Sequence, residues 1–243
     1  MQVHVELVAP VIFRIGEVAI TSTIIAAWLA IVVLVLFSAF ATRRMATVPS
    51  GVQNFAELAV ESLLKICEQT AGPRRARRFL QLVATLFLFI LTANWMGVLP
   101  LYGEGELTAG DHNVLRSANS DLNVTLAMAL FVFVTFELWG LKAGGLAYLK
   151  EFIWPGLLIE VISHLARPVA LSLRLFGNII AGEILLTVIS GLVGFAVPVL
   201  VMGFELFVGI VQALIFALLT LAFLTMATAH EEQHHGAGEA HGQ

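Results

Sequence analysis

The chain has 243 residues, 59% of them hydrophobic and only 12% charged, with a mean hydropathy of +0.92. That mix excludes an ordinary soluble domain and indicates a polytopic membrane protein. The net charge of −4 leaves no basic face outside the clusters that flank apolar segments, which excludes nucleic-acid binding, and a lone Cys67 excludes a disulfide within the chain.

In chain order, Val18–Ala41 is a 24-residue run without a charge, followed by Arg43 and Arg44. It is too long for the apolar core of a signal peptide and carries a stop-transfer flank, so it reads as a retained first span. Gly51–Gly72 reads as an amphipathic helix. Phe55, Leu58, Ala59, Ser62, Leu63 and Ile66 recur at helical period, with Glu57, Glu61, Lys65 and Glu68 elsewhere on the wheel. It lies on the cytoplasmic surface or packs between spans, and the Gly72-Pro73 pair ends it.

Phe79–Leu101 is the second span and Leu122–Leu141 the third, with Glu137 near its end. The loop between them, Tyr102–Asp121, is acidic. Pro155–Ile189 and Phe195–Ala229 are the fourth and fifth spans. Both exceed the roughly 20 residues that a perpendicular helix needs, so tilt or bending is predicted. His230–Gln243 is a polar tail containing His230, His234, His235 and His241. The expectation is a single all-α membrane domain over residues 1–243, ending in a long antiparallel hairpin, 155–229.

If five spans alternate, Arg43, Arg44, Lys65, Arg74, Arg75, Arg77, Arg78, Lys142 and Lys150 share one side, against Arg14 and Arg116 on the other. Nine against two places the N-terminus outside and the C-terminus in the cytoplasm.

The other two basic residues, Arg167 and Arg174, lie inside the fourth span. A guanidinium keeps its proton, so Arg174 is a permanent charge in an apolar stretch, too far from either end to reach the headgroups. Glu160, Ser163, His164, Arg167, Leu171, Arg174 and Asn178 follow at steps of 3, 1, 3, 4, 3 and 4, one largely polar stripe on a helix. Such a stripe must face a partner or an aqueous cavity. Glu183, nine positions past Arg174, points to the opposite face.

Ser190–Gly194 is the natural turn of the hairpin. Folding there brings Glu183 level with Glu205, and Arg174 level with Gln212, because each pair has its midpoint at 194 or 193. Two level carboxylates repel in a low dielectric, so at least one should hold a proton, as a relay to the outer side requires. Glu160, Ser163 and His164 would line a second route near the cytoplasmic end. Arg174 between the two routes would block a direct leak.

These residues resemble subunit a of F-type ATP synthases. The resemblance rests on Glu160 to Glu183 with its Leu-Phe-Gly-Asn run, on Glu205 and Gln212, on Asn94-Trp-Met-Gly97-Val-Leu-Pro100, and on Asp121-Leu-Asn-Val-Thr125. It implies a stator beside a rotating c-ring, with peripheral stalk b subunits as further partners, in a bacterial inner membrane. By resemblance, Arg174 faces the ring as the separator, Glu183 and Glu205 belong to the outer half-channel, and Asn178 and Gln212 lie near the arginine. Glu160, Ser163 and His164 match the cytoplasmic half-channel.

Two other classes of function fit these residues less well. An autonomous channel or secondary transporter would need a complete path or an inverted repeat, and no repeat is apparent. An intramembrane enzyme would need a nucleophile and base in register, yet Ser163 and His164 are adjacent and point about 100° apart. No Cys, His and carboxylate set has metal-ligand spacing, so no cofactor or metal is expected.

Overall fold

The computed structural model describes residues 11–98, 116–151, 157–192 and 196–228. Leu101, the loop up to residue 115, Pro155, the turn at Gly194 and the tail His230–Gln243 lie outside the described residues.

A short antiparallel hairpin, β1 (Val11–Ile15) and β2 (Val18–Thr21), precedes the first helix. Its turn uses Gly16 at φ 64°, a backbone conformation that glycine adopts without Cβ strain. The sequence reading carried the first helix back to Val18. The structure starts α1 at Ser22 (Ser22–Thr42), with Thr21 extended at φ −87° and ψ 160°. The stretch Val18 to Thr21, β-branched at three of its four positions, takes its hydrogen bonds from β1 instead.

The chain then forms α2 (Val52–Val98), α3 (Leu122–Glu151), α4 (Leu157–Leu192) and α5 (Ala196–Ala227). The five helices are long and apolar enough to cross a membrane, and the protein is an all-α, multi-pass membrane protein. The predicted break at Gly72-Pro73 is present: Gly72 sits at φ 77° and ψ 160° and bends α2 there. In the stretch before the bend, Leu63, Cys67 and Ala71 are buried at a spacing of four, while Phe55 and Leu58 are exposed.

The part of α2 after the bend is central. Phe79, Val83, Leu86 and Ile90 are buried against Phe136, Ala129 and Val132 of α3 and against Ala213, Phe216, Ala217, Leu221 and Leu224 of α5. On another face, Ala93 meets Ala26 and Ala30, small residues that let α1 approach closely. Within the chain, α4 is the least buried of the five. Its Leu171 and Leu175, 2% and 1% exposed, fix its rotation against the core.

Candidate functional site

The anchoring of α4 decides where Arg174 points. Leu175 is buried, so Arg174, one step or about 100° round the helix, emerges on the surface. It makes no hydrogen bond or ion pair among the described residues. Ala166, Ala170, Gly177 and Ala181 are exposed with it, a surface without bulk that another helix can approach.

Two cavities of similar size flank this turn of α4. One, of about 260 Å³, is lined by Ser163, Ala166, Arg167, Ala170, Leu171 and Arg174 of α4 with Leu219 and Phe223 of α5. The other, of about 250 Å³, is lined by Asn178, Gly182 and Glu183 of α4, Glu205 and Val208 of α5, Asn94 and Gly97 of α2, and Ser117. They share no lining residue. Arg174 and Asn178, one per cavity, are a single helical turn apart, about 6 Å of rise.

The second cavity brings together three residues that the sequence grouped: Asn178, Glu183 and Glu205. The hairpin register expected for the two acids is present. Gly182 gives Glu205 its room, because a Cβ at 182 would collide with the Glu205 carboxylate. Gln212 is half-buried in α5 and lines neither cavity.

Beside the same cavity lies a segment that sequence reasoning missed, with Ser117 in the lining. Every residue from Arg116 to Ser120 is buried, so the stretch just before α3 dips into the bundle. Nη2 of Arg116 donates to Oε2 of Glu183 at 2.6 Å. Ser117 Oγ donates to the carbonyl of Ala93 at 3.2 Å, and Asn119 Nδ2 donates to Asn94 Oδ1 at 2.8 Å. Asn94 in turn donates to the carbonyl of Gly209 at 3.1 Å, which ties this plug to α5. Gly97 is required for the fit, since a Cβ there would lie 2.7 Å from that of Ser117. Arg116 had figured only as one of two outer charges. A signal was present in Arg116-Ser-Ala-Asn-Ser120, a polar run directly against a span, but it does not name a partner.

At the other end, the polar stripe of α4 divides. Ser163 is exposed and joins Arg174 at the first cavity. Arg167 is half-buried, its guanidinium 5.7 Å from the ring centre of Phe136 and 5.3 Å from that of Phe223. His164 is 7% exposed and turns inward, its Nδ1 2.5 Å from Oε1 of Glu137 on α3. Glu137 had been noted near the end of its span without a role. Glu160 lies early in α4, and its side chain is outside what the structure describes. Among the described residues no group of three or more His, Cys, Asp or Glu is placed to hold a metal ion.

Comparison with known proteins places the chain among relatives. A family model described as ATP synthase A chain matches residues 24–225. A protein named ATP synthase subunit a, from Gloeobacter violaceus, is 36% identical over 219 residues, covering 88% of this chain and 86% of its own length.

Proposed function

The chain belongs to the ATP synthase A chain family, and from that premise we propose that it is the stator that passes protons to and from a rotating c-ring, with Arg174 separating two half-channels. As a family member it is a component of an ATP synthase membrane sector and works with the other subunits of that complex.

One observation carries the reading. Arg174 is exposed and, among the described residues, has no anionic partner of its own, yet it stands at the turn between two cavities that share no residue. An uncompensated guanidinium in a membrane helix is costly unless a partner or water meets it. An ion-carrying carboxylate on a neighbouring ring answers that need, and the exposed Ala166, Ala170, Gly177 and Ala181 allow the ring to approach.

In this reading, the cavity with Asn178, Glu183 and Glu205 is the outer half-channel. A proton entering it passes to the ring beside Arg174, travels round, and leaves by the cavity that Ser163 lines, with Glu160 and His164 on the same end of α4. Gln212 serves near the ring-facing surface. The fixed charge of Arg174 repels a proton that would cross directly. Each proton descending 100 mV delivers about 2.3 kcal/mol, which a leak would dissipate.

The orientation follows the basic residues, with the N-terminus outside and the C-terminus in the cytoplasm of a bacterial plasma membrane. Arg78 and Lys142 both lie over the ring of Trp139, at 5.4 Å and 5.6 Å, an arrangement suited to the cytoplasmic membrane surface. The exposed Phe55 and Leu58 suit a stretch 51–72 that rests on that surface. Peripheral stalk b subunits are the further partners of the stator.

The test is ATP-driven proton pumping by assembled complexes in inverted vesicles. Arg174→Ala is expected to abolish it. Arg174→Lys is expected to restore it only in part, because an ammonium lacks the planar fork of the guanidinium. Normal pumping by the alanine variant would overturn the proposal.

A further inference from the structure

We propose that Arg116 is a positioning residue of the outer path: it holds Glu183 as a fixed carboxylate and leaves Glu205 as the one acid there that takes up and returns a proton. The inference rests on the half-channel reading above.

Arg116 is mounted rigidly. It is 6% exposed, and the next residues fasten it to α2 through Ser117 to Ala93 and Asn119 to Asn94. Ser120 Oγ closes the turn on the carbonyl of Ser117 at 2.8 Å. Loop arginines normally wave in solvent, whereas the guanidinium of this one reaches Oε2 of Glu183.

Among the described residues, α4 lines the cavity with Glu183, α5 with Glu205 and α2 with the neutral Asn94, and Arg116, just before α3, reaches Glu183 from beside it. Asp121 is engaged elsewhere, accepting from Thr23 Oγ1 at 2.9 Å and from the Asn123 backbone at 2.8 Å. Among the described residues, Arg116 is paired with one of the two cavity carboxylates and not with the other. The close ion pair assigns the cation to Glu183, and Glu205 makes no ion pair among the described residues. A guanidinium cannot give up its proton, so the pair is electrically fixed while Glu205 changes state. Without the arginine, both acids would compete for one shared proton, and the cavity would release it poorly.

The experiment compares assembled complexes in inverted vesicles, following ATP-driven acidification across a pH series, with subunit abundance measured alongside. Arg116→Lys should keep the pH optimum. Arg116→Gln should slow pumping about tenfold near neutrality, the factor that accompanies one pH unit of displaced protonation, and move the optimum to higher pH. Adding Glu183→Gln should bring the optimum back, because the excess carboxylate is gone. This double variant also removes the carboxylate that the lost arginine had faced, so it reports even where Arg116→Gln alone fails to assemble. An unchanged optimum in Arg116→Gln, or a double variant as displaced as the single, would show that the bond is only a structural tie. If the half-channel reading itself fails, Arg174→Ala pumps normally. If only this inference fails, Arg174→Ala stays inactive.

Discussion

Nδ1 of His164 and Oε1 of Glu137 stand 2.5 Å apart and join α4 to α3, at the end of α4 opposite to the Arg116 and Glu183 pair. The ring of Phe136 lies against the same histidine, 5.8 Å between centres. These two polar ties meet one long helix at separate points along it, and the exposed Arg174 lies between them.

The first prediction concerns this tie. His164→Ala removes a partner of a half-buried carboxylate, at a cost of about 1–3 kcal/mol. The purified complex should then release the subunit at a lower temperature. Glu137→Gln should cost less, because its amide oxygen still accepts from the ring N–H. No loss in either variant would show that the pairing itself contributes nothing.

Two glycines should fail in different ways. At Gly97, an added Cβ meets the Cβ of Ser117 at 2.7 Å, with the Ser117 backbone behind it at 3.6 Å. Gly97→Ala should destabilise the bundle by about 1–3 kcal/mol, seen as reduced subunit abundance. At Gly182, the colliding atoms are the far end of the Glu205 side chain, which can move. Gly182→Ala should therefore assemble and pump slowly. Slow assembly of the Gly182 variant, with normal pumping by what does assemble, would contradict the placement of Glu205 in the path.

Glu205→Gln keeps the shape of the side chain and removes its ability to carry a proton. Transport should fall far more than the amount of assembled complex. Vesicles with matched subunit content make the comparison direct. Normal pumping by assembled Glu205→Gln complexes would make Glu205 a structural residue.

Much of this architecture was legible because the bilayer limits the choices. Five apolar runs became five long helices, and Gly72-Pro73 broke α2 where expected. The pairing of Glu183 with Glu205 was legible for a local reason: a short turn between two helices forces positions equidistant from it into register, and both acids line one cavity. The single polar stripe of α4 was read less well. Ser163 and His164 are neighbours in it, yet one faces a cavity with Arg174 and the other is buried against α3. A helical wheel gives the angle between residues and does not say which sector meets protein. The start of α1 was misplaced by four residues, from Val18 to Ser22, because apolarity alone does not distinguish a β-branched strand from the first turn of a helix.

The amino-acid order by itself determined the number of spans, the hairpin register of the two acids, and the isolation of one arginine in apolar surroundings. All three depend on short-range periodicity and on the cost of charge in a membrane, which any reader of the chain can count. Only the tertiary structure decided that Arg116 closes on Glu183, 67 positions away, and that Glu137 closes on His164, 27 positions away. Those partners are chosen by which helices lie side by side and how each is rotated, and the packing of Leu171, Leu175, Ile90 and Phe216 sets that rotation.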